Sequence, residues 1–340
     1  MDTALQRFED GVTESGEDVE EAEIEEAPAV GSEERATWIS EKIRNVLGGS
    51  QSERNAAVDN LLANDAEGDC LNPLLALFDD HKKDAGLLVM LTRALGRDGL
   101  LEAAPPIAEL LKHKDPAIRG NAAVSLEYIG SLDKKVVSAL KSAAGKEKDE
   151  AIANHMYRAL GRCGVKDSKA RSTLLKKADS GKSEYATYGP TIGLAYFEKD
   201  SKAARGVEKS LRKIGIPGSR RGGGQNVVKR GVLSWTLAEI GDEKSGDFVR
   251  EELIAKLKNV KAFWVGPLVQ FYGAVADKCD GNEEAMAGIT EGVGGFVQFA
   301  RGGQLGRYGA ETRGLMDEYR LDREWSGFAP KGDHILNDER

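Results

Sequence analysis

Apolar positions from Trp38 onward recur at steps of three and four in short runs, and each run is broken by Gly, Asp or Lys. That rhythm predicts amphipathic helices, and no alternating run of the kind a strand needs is present. The sharpest unit is Asp115-Pro116-Ala117-Ile118-Arg119, followed by Ala122, Ala123, Leu126, Ile129 and Gly130. Asp115 can accept from the open amides of a first turn, Pro116 sits where its missing N–H is not needed, and Gly130 can take the left-handed conformation that ends a helix. Ile118, Ala122 and Leu126 then share one face. Equivalent endings occur at Ala94–Gly99, Ala159–Gly164, Leu194–Phe197 and Leu237–Gly241; taking Gly99, Gly130, Gly164, Glu198 and Gly241 as equivalent gives steps of 31, 34, 34 and 43 residues. Each such helix follows a shorter apolar one, carried by Ile107 with Leu110 and Leu111, Val136 with Val137 and Leu140, Leu174 with Leu175, and Val207 with Leu211 and Ile214. The period is that of a helix pair, with one insertion in the longest step.

Asp115-Pro116-x-Ile118-Arg119, with the Ala-Ala-x-x-Leu-x-x-Ile-Gly after it, resembles the HEAT repeat, and in particular the short variety called PBS-lyase HEAT-like. The Ala-Leu-Gly-x-x-Gly ending persists at 94–99 and 159–164, and the likeness covers about residues 70–241. It implies an all-α fold: an α-solenoid of about seven or eight antiparallel helix pairs wound as a right-handed superhelix. Glu34–Leu47 and Ser52–Ala63 read as an opening pair, while Phe248–Leu257, Phe263–Val275 and Glu283–Phe299 continue as helices without a legible repeat. The expected organisation is a disordered acidic tail at 1–34, a HEAT-like solenoid at 35–320 with an insert loop at 216–226, and an irregular extension at 321–340.

Composition fits thin helix-on-helix layers, since 40% of residues are hydrophobic but only 6% aromatic, and such layers need small residues where helices cross closely. Residues 1–34 contain thirteen Asp or Glu and one basic residue, Arg7, which leaves the rest of the chain with 47 basic against 43 acidic residues. With no aromatic and no helical stripe in Glu17–Glu26, that stretch cannot bury enough surface to offset its ordering entropy. Cys70, Cys163 and Cys279 lie about a hundred residues apart with no paired spacing, which points to a reducing compartment, the cytoplasm. No apolar run suggests a membrane span.

Little in the chain announces chemistry. Some HEAT-like proteins hold iron through adjacent His-Glu pairs, but His81, His113 and His155 are followed by Lys82, Lys114 and Met156, and His334 stands alone. No metal-ligand spacing, cofactor or catalytic residue is indicated. Gly181-Lys182-Ser183 has the ending of a phosphate loop, yet Lys176 stands where the loop needs its first glycine; Gly218–Gly224 continues into Gln225 with no Lys or hydroxyl.

The candidate site is electrostatic. Between Lys202 and Arg230 the nine basic residues Lys202, Arg205, Lys209, Arg212, Lys213, Arg220, Arg221, Lys229 and Arg230 meet only Glu208. Arg205, Lys209, Arg212 and Lys213 recur at helical spacing and are expected on one solenoid edge beside the insert. The leading expectation is a non-catalytic protein–protein interaction scaffold that offers a concave surface to a protein partner, an acidic one among the candidates, through Lys209, Arg212, Lys213, Arg220, Arg221, Lys229 and Arg230. The acidic tail of the same chain is a further candidate to cover this patch. The resemblance implies two alternatives. One is an accessory enzyme similar to phycobilin lyases, which would take a tetrapyrrole. The other is a nucleic-acid-binding protein similar to HEAT-like DNA glycosylases, with Trp235, Trp264 and Asp242 as the residues of interest. Nucleic acid is disfavoured by a pI near 5.3 and by the absence of aromatics within the loop.

Overall fold

The computed structural model describes residues 24–180, 185–198, 200–214, 227–258, 260, 265–289 and 292–293, and among them every regular element is helical. Two compact units divide the chain, residues 1–139 and 140–340. The first contains α1 (Glu33–Gly48), α2 (Gln51–Ala63), α3 (Leu71–Asp80), α4 (Ala85–Arg97), α5 (Ala104–Leu110) and α6 (Pro116–Ile129), and α7 (Lys134–Lys146) crosses the boundary. The second contains α8 (Glu150–Cys163), α9 (Ser168–Ser180), α10 (Tyr188–Leu194), α11 (Ser201–Ile214), α12 (Val227–Ile240), α13 (Glu243–Phe248), α14 (Ala255–Leu257) and α15 (Val265–Cys279).

Aspartates start most of these helices. Asp84, Asp115 and Asp149 accept from the first-turn amides of α4, α6 and α8, and Asp133, Asp167, Asp200 and Asp242 do so for α7, α9, α11 and α13. Such a cap contributes about 1 kcal/mol, so these aspartates set where their helices begin. Gly130 closes α6 at φ 65°, the left-handed conformation expected of it.

In the first unit α1 packs on α2, and α4 and α5 pack on α6. Ile118, Ala122 and Leu126 are all buried at that contact face. In the second unit α10 lies against α8, α9 and α12, α11 packs on α12, and α15 receives α12 and α13. Consecutive helices thus bury one another's apolar stripes, and the all-α solenoid expected from the repeat is the architecture that forms.

Small residues occupy the closest crossings. A Cβ added to Gly96 in α4 would overlap the side chain of Ser125 in α6. In the second unit a Cβ on Gly161 would overlap the carbonyl oxygen of Gly193, one on Gly193 would come within 2.6 Å of the Tyr157 carbonyl oxygen, and one on Gly189 would meet the backbone of Asn154. Helices α8 and α10 therefore touch backbone to backbone, and the buried Asn154 Oδ1 accepts from Gly189 N–H at 3.0 Å.

Two elements depart from the periodic reading. The segment closing at Leu194–Phe197 is a helix of only seven residues, because Pro190 brings no N–H and a 3-10 turn at Tyr185–Thr187 leads in. The stretch Phe248–Leu257 is helical but passes through a π turn at Val249–Ile254; its wider turn suits the five-residue step between the buried Phe248 and Leu253.

Candidate partner-binding site

The basic residues expected to form one surface are divided by the fold. On α11, Arg212 forms a bidentate pair with Glu252, both bonds 2.8 Å, and its guanidinium lies 4.6 Å from the centre of the Phe248 ring. Lys213 pairs in the other direction with Asp179 on α9. Arg205 bonds both Glu208 and Asp242. Arg230 on α12 is buried and donates to the Tyr272 hydroxyl at 3.1 Å, and Lys229 beside it is half-buried. Lys209 is exposed and makes no ion pair among the described residues. Arg220, Arg221 and the whole insert 216–226 lie outside the described residues, as does Trp264. Trp235 is fully buried in the core, and Asp242 is a helix cap held by Arg205.

These pairs belong to a longer series. Arg171 bonds Asp200, Arg205 bonds Asp242, and Arg250 bonds Asp280, so a basic residue of one pair repeatedly reaches an aspartate at the start or end of a helix in the next. Burial alone would push the Asp200 and Asp242 carboxyls up, but the guanidinium of each partner and the helix-end amides together hold them below the usual carboxylate range. Partly exposed pairs of this kind contribute about 0–1 kcal/mol each. The series fixes the register between neighbouring helix pairs more than it adds to their strength.

A second site was not legible from charge. The segment from Ile24 to Val30 lies on α1 and α2, and α1 itself begins at Glu33, inside the stretch expected as tail. Glu25 N–H donates to Asn60 Oδ1 at 2.7 Å and Ala27 N–H to Asn64 Oδ1 at 3.2 Å, while Asn64 Nδ2 donates back to the Glu25 carbonyl at 3.0 Å. Residues four apart on a helix rise about 6 Å, close to the roughly 6.7 Å between residues two apart on an extended chain. Asn60 and Asn64 can therefore read alternate residues of a strand-like peptide. Arg35, buried, donates to the Pro28 carbonyl at 3.0 Å, and the Glu25 carboxylate accepts from Lys42 Nζ at 2.6 Å and Trp38 Nε1 at 3.4 Å. The Lys42 bond holds the Glu25 carboxyl below its ordinary range. The available signal is the pair of asparagines four residues apart, one in the last turn of α2 and one at its C-terminal cap.

The profile of the HEAT repeats matches residues 71–161 and again 104–188. Residues 71–188 are HEAT repeats. The profile is that of HEAT repeats at large and does not single out the PBS-lyase variety. No curated protein matches the chain. Among solved structures it is similar to human deoxyhypusine hydroxylase in complex with glycerol, at 17% identity and a TM-score of 0.33, over 84% of this chain and 96% of that one. At that TM-score the likeness carries no argument about activity. No helix among the described residues is long and apolar enough to cross a membrane.

Within the HEAT repeats, the Asp-Pro-x-Ile-Arg motif explains itself mechanically. Asp115 caps α6, and Arg119 one turn later donates to the carbonyls of His113 and Lys114 at 3.0 and 3.1 Å, pinning the turn that joins α5 to α6. His113 Nδ1 accepts from Asp115 N–H at 3.1 Å. Ahead of the repeats, Asp65, Asp69 and Cys70 bring donor atoms within 4.8 Å of one another. The chemistry suits an ion pair better than a metal. Arg35 bonds both oxygens of Asp69 and holds that carboxyl far below its usual range, Asp65 caps the start of α3, and burial pushes the Cys70 thiol up to about 12.

His155 on α8 is buried in the second unit. Burial, with the Arg158 charge adding to it, drives its pKa down to about 3. The unfolded chain then binds a proton near pH 6.5 that the folded chain refuses until about pH 3, so this group's contribution to stability is lost progressively as pH falls through that window. The slope approaches about 1.4 kcal/mol per pH unit. Glu239 opposes it: burial first, with Glu283 and Glu198 adding to it against Lys278, raises its pKa, so it costs stability at high pH and that cost is relieved as pH falls toward the ordinary carboxylate value. Between pH 6.5 and 5 the two contributions are told apart by removing the histidine alone. Melting temperatures over that range are expected to fall in the wild type and to stay flatter in His155→Gln; parallel pH profiles would contradict the assignment.

Proposed function

We propose that this HEAT-repeat protein is a non-catalytic interaction scaffold that engages an acidic protein partner through the insert 216–226 and the exposed Lys209. The observation that carries the reading is the division of labour among the basic residues. Arg205, Arg212, Lys213 and Arg230 are taken up by partners within the stack, which anchors α11 and α12 on either side of the insert. Lys209 is left exposed, and the insert contributes Arg220 and Arg221 with no acidic residue between them and Lys229. An insertion held between two anchored helices suits a contact region, because repeat insertions gather on one face and a net positive segment steers acidic partners toward it. The cytoplasm is the compartment proposed for it, in keeping with three buried cysteines of which none is in a disulfide.

The test is capture from native lysate by the full chain and by Lys209→Ala/Arg220→Ala/Arg221→Ala, with nuclease treatment and at two salt concentrations. One acidic protein in stoichiometric amount, salt-sensitive and depleted about tenfold or more by the triple substitution, is expected. Capture of nuclease-sensitive material, or a protein retained equally by both forms, would overturn the proposal.

A further inference from the structure

The contacts of Ile24–Val30 are those of a bound peptide. Asn60, Asn64 and Arg35 bond main-chain atoms, three of them on Glu25 and Ala27 and one on Pro28. Only one side chain of the segment is read, the Glu25 carboxylate, and it is read by a cation and an indole N–H. The apolar side chains contribute little: Ile24 is 51% exposed and Val30 64%. A segment that served simply to finish the hydrophobic stack would turn those two residues inward.

We propose that the face formed by α1 and α2 is a peptide-binding site, occupied in cis by residues 24–28 of the chain itself, and that it accepts an extended acidic peptide of another protein when this segment leaves. The bonds specify the ligand: a carboxylate on one residue, free amides on that residue and on the second one after it, and an accessible carbonyl on the third. Proline suits the third position, where no N–H is used, and is excluded from the second, where Asn64 needs a donor. The seat is polar and its bonds are part-buried, so each contributes only about 0.5–1.5 kcal/mol over the bonds to water that would replace it. What keeps the cis segment in place is its attachment to α1 through only the four residues 29–32, which presents it at high effective concentration. An incoming peptide must therefore compete with a tethered one, and the chain is self-inhibited at this face. The site uses none of the insert's residues, and its test does not depend on the partner proposed there.

The experiment uses the full chain and a fluorescein-labelled peptide with the sequence of residues 22–31. In the variant Glu25→Lys/Ala27→Pro the cis segment loses the charge pair and one amide donor, and anisotropy should show saturable peptide binding at least tenfold tighter than to the wild type. Against that same released variant, a peptide carrying the Ala27→Pro change, or the Glu25→Lys change, should bind at least tenfold more weakly, a comparison that leaves the protein untouched. Asn64→Ala added to the released variant should have the same effect. Equal binding to wild-type and released chains, no saturable binding to the released chain, or indifference to the peptide substitutions would each overturn the proposal.

Discussion

Leu126→Asp is expected to unfold the first unit of the chain, with loss of the ellipticity that α4, α5 and α6 contribute. Leu126 is completely buried on the face of α6 that meets its neighbours. Removing such a side chain from a packed core costs about 2–5 kcal/mol, and placing an unpaired carboxylate there adds a desolvation penalty of comparable size. The total stability of a domain is only about 5–15 kcal/mol. In a stack where each pair buries its apolar face only against the next, the damage spreads to both neighbours. Ser138→Asp introduces the same charge at an exposed position of α7 and should change stability by no more than about 0.5 kcal/mol. Circular dichroism at 222 nm and the melting curve measure both. A Leu126→Asp protein with the wild-type midpoint and helicity would show that this helix is not held by its neighbours.

Gly161→Ala should lower stability by about 2 kcal/mol, and Gly273→Ala should raise it by up to about 1 kcal/mol. Both glycines lie inside helices, where alanine is ordinarily the better residue. They differ in what a methyl group would meet. At Gly161 it would overlap the backbone carbonyl of Gly193 across the α8–α10 crossing, whereas nothing lies within 4 Å of a Cβ at Gly273. A carbonyl built into the facing helix cannot swing aside as a flexible side chain can, so the two helices must separate and lose dispersion contacts along their length. The predicted fall in melting temperature for Gly161→Ala is about 5 °C. Equal signs for the two substitutions would remove the backbone contact as the reason for glycine at 161.

The two asparagines at the end of α2, Asn60 in its last turn and Asn64 at its cap, show how the candidate sites escaped the sequence. Asn60 and Asn64 belong to an opening pair that periodicity places within a residue or two, yet what they bond falls in the acidic stretch 1–34, expected as tail because Glu17–Glu26 has no aromatic and no helical apolar stripe. Apolar burial is the wrong criterion for a segment held through its main chain. Charge misleads in the opposite sense on α11. Arg205, Arg212 and Lys213 look like one unbalanced patch in a window of 29 residues, but Asp242, Glu252 and Asp179 balance them from 34 to 40 residues away.

From Glu33 to Gly164 local contacts were enough to place the helices within a residue or two. Those depend on contacts within a turn or two: an aspartate bonding the next amides, a proline at the first helical position, Gly130 in the left-handed region, and Ile118, Ala122 and Leu126 on one stripe. Tertiary structure decided the rest. Which glycines let α8 and α10 touch, which cations hold neighbouring pairs in register, and which face carries an extended chain all depend on residues tens of positions apart, brought together only when one helix pair stacks on the next. A single sequence records local propensity at every position, but it does not record which residue lies opposite across a helix crossing.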